Sequence, residues 1–259
     1  MKIQDVKNIT SKGSRDPFLT NRIFFRHISV YVTYIFLKLR IPANTVTFLS
    51  SIVAITGAFL QVYNDMQILL ISCVLLNSYY ILDMADGEIA RYNIKKGKRQ
   101  PNEAGPYFDA LVHYFLTPLL FFSVGLFCYH KYGAEIYLWA GLIVGMWLSS
   151  YAQSAANRVI LDFLLQGNRD PNGKIIDELW RDNKYDNSKA SIKQRVRFLI
   201  REAFSSQGQI ITLTLLIILD WIFQPGISFR AYYLLIMAGI ALLNMPRVSY
   251  KYFRMLKEL

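Results

Sequence analysis

Six stretches of the chain carry no Asp, Glu, Lys or Arg: 41–64, 66–82, 110–130, 136–157, 203–219 and 231–246. They run from 16 to 24 residues. A helix needs about 20 mostly apolar residues, within a range of about 17–25, to cross the hydrocarbon of a bilayer. Soluble core helices rarely run that far without a charge. The pattern predicts an all-α integral membrane protein with six transmembrane helices. The three shortest stretches take a turn from their flanks, so the second helix runs on to include Asp83 and Asp86. Pro42 suits the start of the first span, because its missing N–H costs nothing in a first helical turn.

Ahead of the first span, the run ISVYVTYIFL lies between Arg22, Arg26, Lys38 and Arg40. Ten residues are too few to span. They predict an N-terminal juxtamembrane amphipathic helix, held on the membrane surface by its apolar side and basic flanks, or packed on the bundle; the two are compatible. The chain then divides at residue 41. Residues 1–41 form a cytoplasmic N-terminus with its interfacial helix, and 42–259 form the six-helix membrane domain. Tight turns are expected around Asn64 and Asp65, at Lys131–Glu135 and at Gln224–Ser228. The connections on the other side are longer. One is 92–104, and the other is the polar insert 166–201. That insert reads as a cytoplasmic loop facing anionic lipid, with a basic amphipathic helix from Ser191. A substrate-specific lid is the alternative.

Composition sharpens this picture. The chain of 259 residues is 53% apolar and 18% charged, which excludes a disordered chain, a collagen-like repeat and a small disulfide scaffold. Cys73 and Cys128 both fall in apolar stretches and predict neither a disulfide framework nor a metal finger. The net charge of +11 has a membrane explanation. With six spans, 27 of the 29 Lys and Arg residues fall on one side, all except Lys131 and Arg230. Cytoplasmic loops collect Lys and Arg. Both termini are therefore expected in the cytoplasm, with the protein in the cytoplasmic (inner) membrane. Nucleic acid is not needed to account for the high pI. The first 17 residues hold no apolar run, so no cleavable signal peptide is expected. Seventeen Tyr and four Trp suit interfacial belts, with His27 and His130 as interfacial residues. Asn77, Gln153, Ser154 and Asn157 read as interhelical hydrogen-bonding groups. Arg158 reads as a side chain snorkelling to lipid head groups, with an acceptor phosphate as the other candidate.

Acidic residues inside a span are expensive, roughly +2.5–3.5 kcal/mol each on insertion scales. The second helix nevertheless ends ILDMADGEIARY. At 100° per residue, Asp83, Asp86, Gly87 and Ala90 share about a third of the helix circumference, and Arg91 lies at its edge. Two carboxylates thus share a face with the two smallest side chains, which allow close approach of a helix or a ligand. The third helix begins with Gly105, Asp109 and His113 at four-residue spacing, a single stripe. The short connection makes these helices antiparallel neighbours, so the polar stripes meet just inside the cytoplasmic surface. Facing aspartates repel unless a cation lies between them. Mg²⁺ takes oxygen ligands and is commonly shared between carboxylates and a substrate phosphate. Phosphoryl chemistry at the membrane surface is the expectation.

At these residues the chain resembles the CDP-alcohol phosphotransferases, whose signature is D-x-x-D-G-x-x-A-R, a variable gap, then G-x-x-x-D-x-x-x-D. Here it reads Asp83, Asp86, Gly87, Ala90, Arg91, thirteen residues, Gly105, Asp109 and His113. ANTVT at 43–47 is similar to the family's P-N-x-x-T at the start of the first span, with Pro42 shifted by one. The gap is longer than in many members, and His113 stands where the family has its last aspartate. The resemblance implies a two-metal site of Mg²⁺ or Mn²⁺ held by Asp83, Asp86, Asp109 and His113. It implies Asn44, Thr45 and Thr47 near the cytidine end, and Asp83, Gly87, Ala90 and Arg91 beside the CDP. Asp109 and His113 would be the catalytic pair. His113 has three readings: general base, since imidazole titrates near neutral pH; metal ligand, which would favour Mn²⁺ or Zn²⁺; or a packing residue in an enzyme with one metal or with lost activity.

The implied function is a transferase that moves a substituted phosphate, most simply phosphatidyl, from CDP-diacylglycerol to an acceptor hydroxyl and releases CMP, in phospholipid or glycolipid biosynthesis. A CDP-linked small alcohol donating to a lipid or glycan is the alternative. Members of the family are often homodimers. From another class, a cation carrier would be expected to place its acids at the midplane and often to show an internal repeat. An inactive membrane scaffold would keep the fold, with His113 as its only hint.

Overall fold

The computed structural model describes residues 2–10, 20–21, 25–97, 104–149 and 204–257. Among the described residues every regular element is helical. The helices are α1 (Ile3–Thr10), α2 (Arg26–Lys38), α3 (Ala43–Leu60), α4 (Met66–Lys95), α5 (Ala104–Tyr132), α6 (Ile136–Ser149), α7 (Ser206–Phe223) and α8 (Phe229–Lys257). The insert 166–201 with Ser191, and Gln153, Ser154, Asn157 and Arg158, lie outside the described residues.

Among the described residues, three helices are long and apolar enough to cross a membrane: α3, α4, and α5 over Tyr107–Tyr132. The stretches Ile136–Ser149, Gln207–Phe223 and Phe229–Asn244 are shorter apolar helices. The solvent preference of the side chains agrees with lipid surroundings. Phe59, Val74, Phe115, Met146, Trp221 and Leu243 are exposed, while Gln61, Ser72, Glu88 and Arg230 are buried. In water such broad apolar exposure is a liability; against lipid it is the expected outer surface.

The helices divide into two compact units. The first comprises Met1–Phe48, Tyr80–Ala110 and Ser154–Gln209. In it α2 ends by bonds from Ile41 N to the Phe36 carbonyl (2.9 Å) and from Arg40 N to the Leu37 carbonyl (3.2 Å), with Arg40 at φ 59°. This is a Schellman termination in the left-handed region, made by a non-glycine residue. It turns the chain sharply into α3. Pro42 sits one residue ahead of its expected place inside the span. Its carbonyl accepts the amides of Thr45 and Val46, so it caps the first turn rather than forming it. Ala43 and Val46 of α3 pack on Ile89 of α4, with Phe36, Leu37, Ile41, Leu82 and Ala90 around them. The last carbonyls of α1, which have no partner within their own helix, accept from α4: Ile9 from Lys95 Nζ at 2.8 Å and Thr10 from Arg91 Nε at 3.4 Å. Two cations at that negative helix end are electrostatically favourable.

The helix α4 runs 30 residues, about 45 Å at 1.5 Å per residue, and ends three residues past Tyr92, where the sequence reading closes it. Asp65 starts it by accepting Ile68 N at 3.0 Å, and Gly97 stops it at φ 68°. The charged end continues as helix because its polar groups find partners in α1, α2 and α3.

The second unit comprises Leu49–Tyr79, Leu111–Gln153 and Ile210–Leu259. Ser72 of α4 donates to the Gly57 carbonyl of α3 at 2.6 Å. Asn77 donates to Thr214 of α7 at 3.1 Å, as its interhelical reading requires. Arg230, expected as an outer-loop residue, is buried instead. It pairs with Asp220 at 3.2 Å and lies 3.8 Å over the Phe127 ring. Ser228 Oγ and the amide of Phe229 also donate to Asp220. A paired charge is tolerable in such surroundings where a lone one is not, so α7 extends past 219 to carry Asp220 to Arg230. The helices α5 and α6 cross through glycines. A Cβ on Gly125 would meet the Tyr137 carbonyl at 2.6 Å, and one on Gly141 the Phe121 carbonyl at 2.6 Å. The pair Gly141 and Gly145 forms the small-xxx-small spacing that lets membrane helices touch backbone to backbone. Gly141→Ala is expected to destabilise the protein by about 1–3 kcal/mol, the usual cost of overpacking. A lowered thermal midpoint in detergent would register it.

Candidate metal and nucleotide site

The end of α4 presents its acidic face where the sequence places it. Asp83 of α4 and Asp109 and His113 of α5 are all half-buried, and one ligand atom from each lies within 4.8 Å of the others. The helix itself brings Asp109 and His113 together, because residues four apart stack on one face. Two carboxylates and an imidazole at this separation form a donor set that fits a divalent cation, and the group could hold a metal ion. Mg²⁺ prefers oxygen alone, whereas an imidazole widens the choice to Mn²⁺ or Zn²⁺.

Asp86 is not one of this trio. It is buried, and Thr47 Oγ1 of α3 stands 2.5 Å from its Oδ2. The same hydroxyl is 3.1 Å from the Ala43 carbonyl, so the carboxylate takes the closer contact. Thr47 is thus joined to the acidic face, while Asn44 and Thr45 have exposed side chains in the first turn of α3. Gly87 and Arg91 form a second feature: a Cβ on Gly87 would lie 3.1 Å from Arg91 Nη1, so the guanidinium rests over the glycine. Ala90 is half-buried beside the cluster of Ala43, Val46 and Ile89. Gly105 lies in the first turn of α5.

Two participants escaped the sequence reading. Tyr79, wholly buried one turn before Asp83, shares a 2.9 Å hydrogen bond with His113 Nδ1, and the rings meet edge to face at 5.9 Å. Nothing in the sequence distinguishes Tyr79 from the other sixteen tyrosines. The second is Glu88, fully buried inside the motif itself. Its Oε1 accepts Arg26 Nη1 at 2.9 Å and Ser29 Oγ at 3.0 Å, and its Oε2 accepts Thr33 Oγ1 at 2.8 Å. Here a signal was present: Arg26, Ser29 and Thr33 recur at helical spacing on one side of an otherwise apolar α2. Of the two compatible readings of α2, packing on the bundle is the one these bonds show: this face docks on α4.

Compared with known proteins, the chain matches no family model and no curated protein. The resemblance to CDP-alcohol phosphotransferases rests on the motif residues.

Proposed function

We propose that the chain is a membrane-embedded transferase of the CDP-alcohol phosphotransferase kind, with CDP-diacylglycerol as the favoured donor and CMP as the leaving group. The observation that carries this reading is the convergence of Asp83, Asp109 and His113 beside a buried Asp86 on two apolar helices. Isolated acids at such depth are costly, and a shared cation with a bound pyrophosphate relieves them. The same reading takes all six apolar helices as spans. It also puts both termini and the site at the cytoplasmic face of the inner membrane, as the Lys and Arg distribution favours.

When bound, the divalent metal would neutralise the pyrophosphate and the charge that develops on the departing phosphate. Asp83, Asp86 and Asp109 would hold it, with His113 as a ligand or beside it. Arg91, resting over Gly87, adds a positive group where the small residue lets a phosphate approach. Thr47 fixes the orientation of Asp86. In the tautomer where Nδ1–H donates to Tyr79 Oη, Nε2 is the nitrogen that accepts the proton of the acceptor hydroxyl. The oxygen so activated forms a bond to the phosphorus that bears the alcohol, the bond from that phosphorus to CMP breaks, and a phosphodiester and CMP result. Positioning and electrostatic stabilisation supply most of the acceleration. The purified protein is expected to release CMP from labelled CDP-diacylglycerol in liposomes only with a divalent cation and an acceptor alcohol. A screen of inositol phosphate, glycerol phosphate, serine and glycan acceptors, scored by lipid product, tests it. Silence with every acceptor and with CDP-linked small alcohols would refute the reading.

A further inference from the structure

Glu88 has no part in the reaction above, yet it is more completely enclosed than Asp83 and Asp86 on the acidic face, at 0% exposure. A buried acid with three side-chain donors from one neighbouring helix is an anchor, and its position in the motif says what it anchors. On α4, Glu88 lies about 160° round the helix from Asp86. Asp86 is bonded to Thr47 of α3, and Ile89 packs against Ala43 and Val46. Glu88 faces the other way and is bonded to Arg26, Ser29 and Thr33 of α2, where Thr33 also reaches the Ala85 carbonyl at 3.5 Å. The tight turn at Arg40 joins α2 to α3. The two helices therefore grip this segment of α4 from two sides with polar bonds of fixed geometry. Apolar contacts alone would allow α4 to roll; a roll of one residue, about 100°, would carry Asp83 and Gly87 off their shared face.

We propose that Glu88 is a positioning residue: by binding Arg26, Ser29 and Thr33 it sets the rotation of α4, so that Asp83, Asp86 and Gly87 present their donors and open backbone to the metal and the CDP. It contacts neither. The inference rests on the metal–nucleotide reading of the site, and it makes the juxtamembrane helix α2 part of the site's framework. The opposite side of α2 exposes Ile28, Tyr31 and Ile35, so the helix can hold α4 and rest on lipid at once.

The test measures Mn²⁺ binding to the full-length protein in detergent, without nucleotide, by the loss of the free-ion EPR signal. Glu88→Ala is expected to weaken binding about 10-fold, the lower end of what loss of an outer-shell partner costs a metal site. Glu88→Gln keeps acceptors for Ser29 and Thr33 and is expected to lose less; it also guards against a misfolded alanine variant. Arg26→Ala, on another helix, is expected to reproduce much of the loss, and Arg26→Lys to restore it. The Arg26→Ala/Glu88→Ala double variant should be no worse than Glu88→Ala, because the pair acts as one unit. In turnover, KM for CDP-diacylglycerol should rise with the Mn²⁺ Kd while kcat at saturating metal stays within about twofold. Wild-type Mn²⁺ affinity in both Glu88 variants, or a loss in them that Arg26→Ala does not share, would overturn the proposal. A chain whose Mn²⁺ binding follows Glu88 and Arg26 but which releases no CMP sinks the transferase reading and leaves the positioning role standing. A wild-type chain that binds no Mn²⁺ sinks both.

Discussion

Asp86→Asn is expected to abolish metal-dependent CMP release, by more than about 100-fold, the upper end of what loss of even an outer-shell partner costs a metal site. The substitution is chosen because it keeps the shape. An asparagine can still accept from Thr47 Oγ1, so α3 and α4 should stay together and the helical content should not change. Only the charge is lost. A second measurement gives a result of opposite sign. Without a cation, Asp86 is a buried acid on the face it shares with Asp83, and such groups repel or are forced to protonate. The asparagine variant should then be at least as stable as wild type in EDTA. Wild type should gain stability with Mn²⁺, since a ligand that binds only the folded state raises its midpoint, and the variant should gain little. A variant that is both less active and less stable in EDTA would point instead to a structural role for Asp86. Full activity would remove Asp86 from the metal site. Thr47→Val, which takes away the hydroxyl and leaves the carboxylate, is expected to fall between the two.

The parts of this molecule that were readable from sequence are those fixed by solvent and by short-range periodicity. Long charge-free stretches placed the helices, because in lipid a backbone without internal hydrogen bonds is not tolerated. Four-residue and three-residue spacing brought Asp109 to His113, and Asp83 to the face of Asp86, because the helix alone decides those neighbours. What escaped is what depends on which helix faces which. Arg230 looked like a loop residue since nothing local announces a partner ten residues back; only the return of α8 beside α7 brings Asp220 to it. Glu88 looked like an unassigned letter within the motif, and its partners are about sixty residues away on α2. The reach of α4 to Tyr92 was legible, but what holds that end in a helix was not. Its charged final turns are helical because α1, α2 and α3 supply donors and acceptors that no window of sequence around residue 90 contains.

The three sequence readings of His113 separate by their responses to two substitutions. Its ring touches Tyr79 through Nδ1 and shares a cluster with Asp83 and Asp109. If its main work is to take the proton of the acceptor hydroxyl, His113→Ala should lower turnover by about 10²–10⁴, the usual range for a general base, and leave Mn²⁺ and donor binding nearly intact. That is the expected result. His113→Asp then supplies a carboxylate in the same place, which can both bind a hard cation and accept a proton, and turnover should partly return. The metal preference separates the base from the ligand. A nitrogen donor makes Mn²⁺ the better activator than Mg²⁺, whereas an all-oxygen set suits Mg²⁺. If the ring is a ligand, the ratio of Mg²⁺-supported to Mn²⁺-supported CMP release should rise in the aspartate variant. A ratio that does not move, with turnover restored, would keep His113 as a base and remove it from the ligand set. Loss of Mn²⁺ binding in His113→Ala would do the reverse and assign it to the metal. Unchanged turnover in His113→Ala would exclude both roles, and Tyr79 would then hold a packing residue rather than orient a catalytic ring.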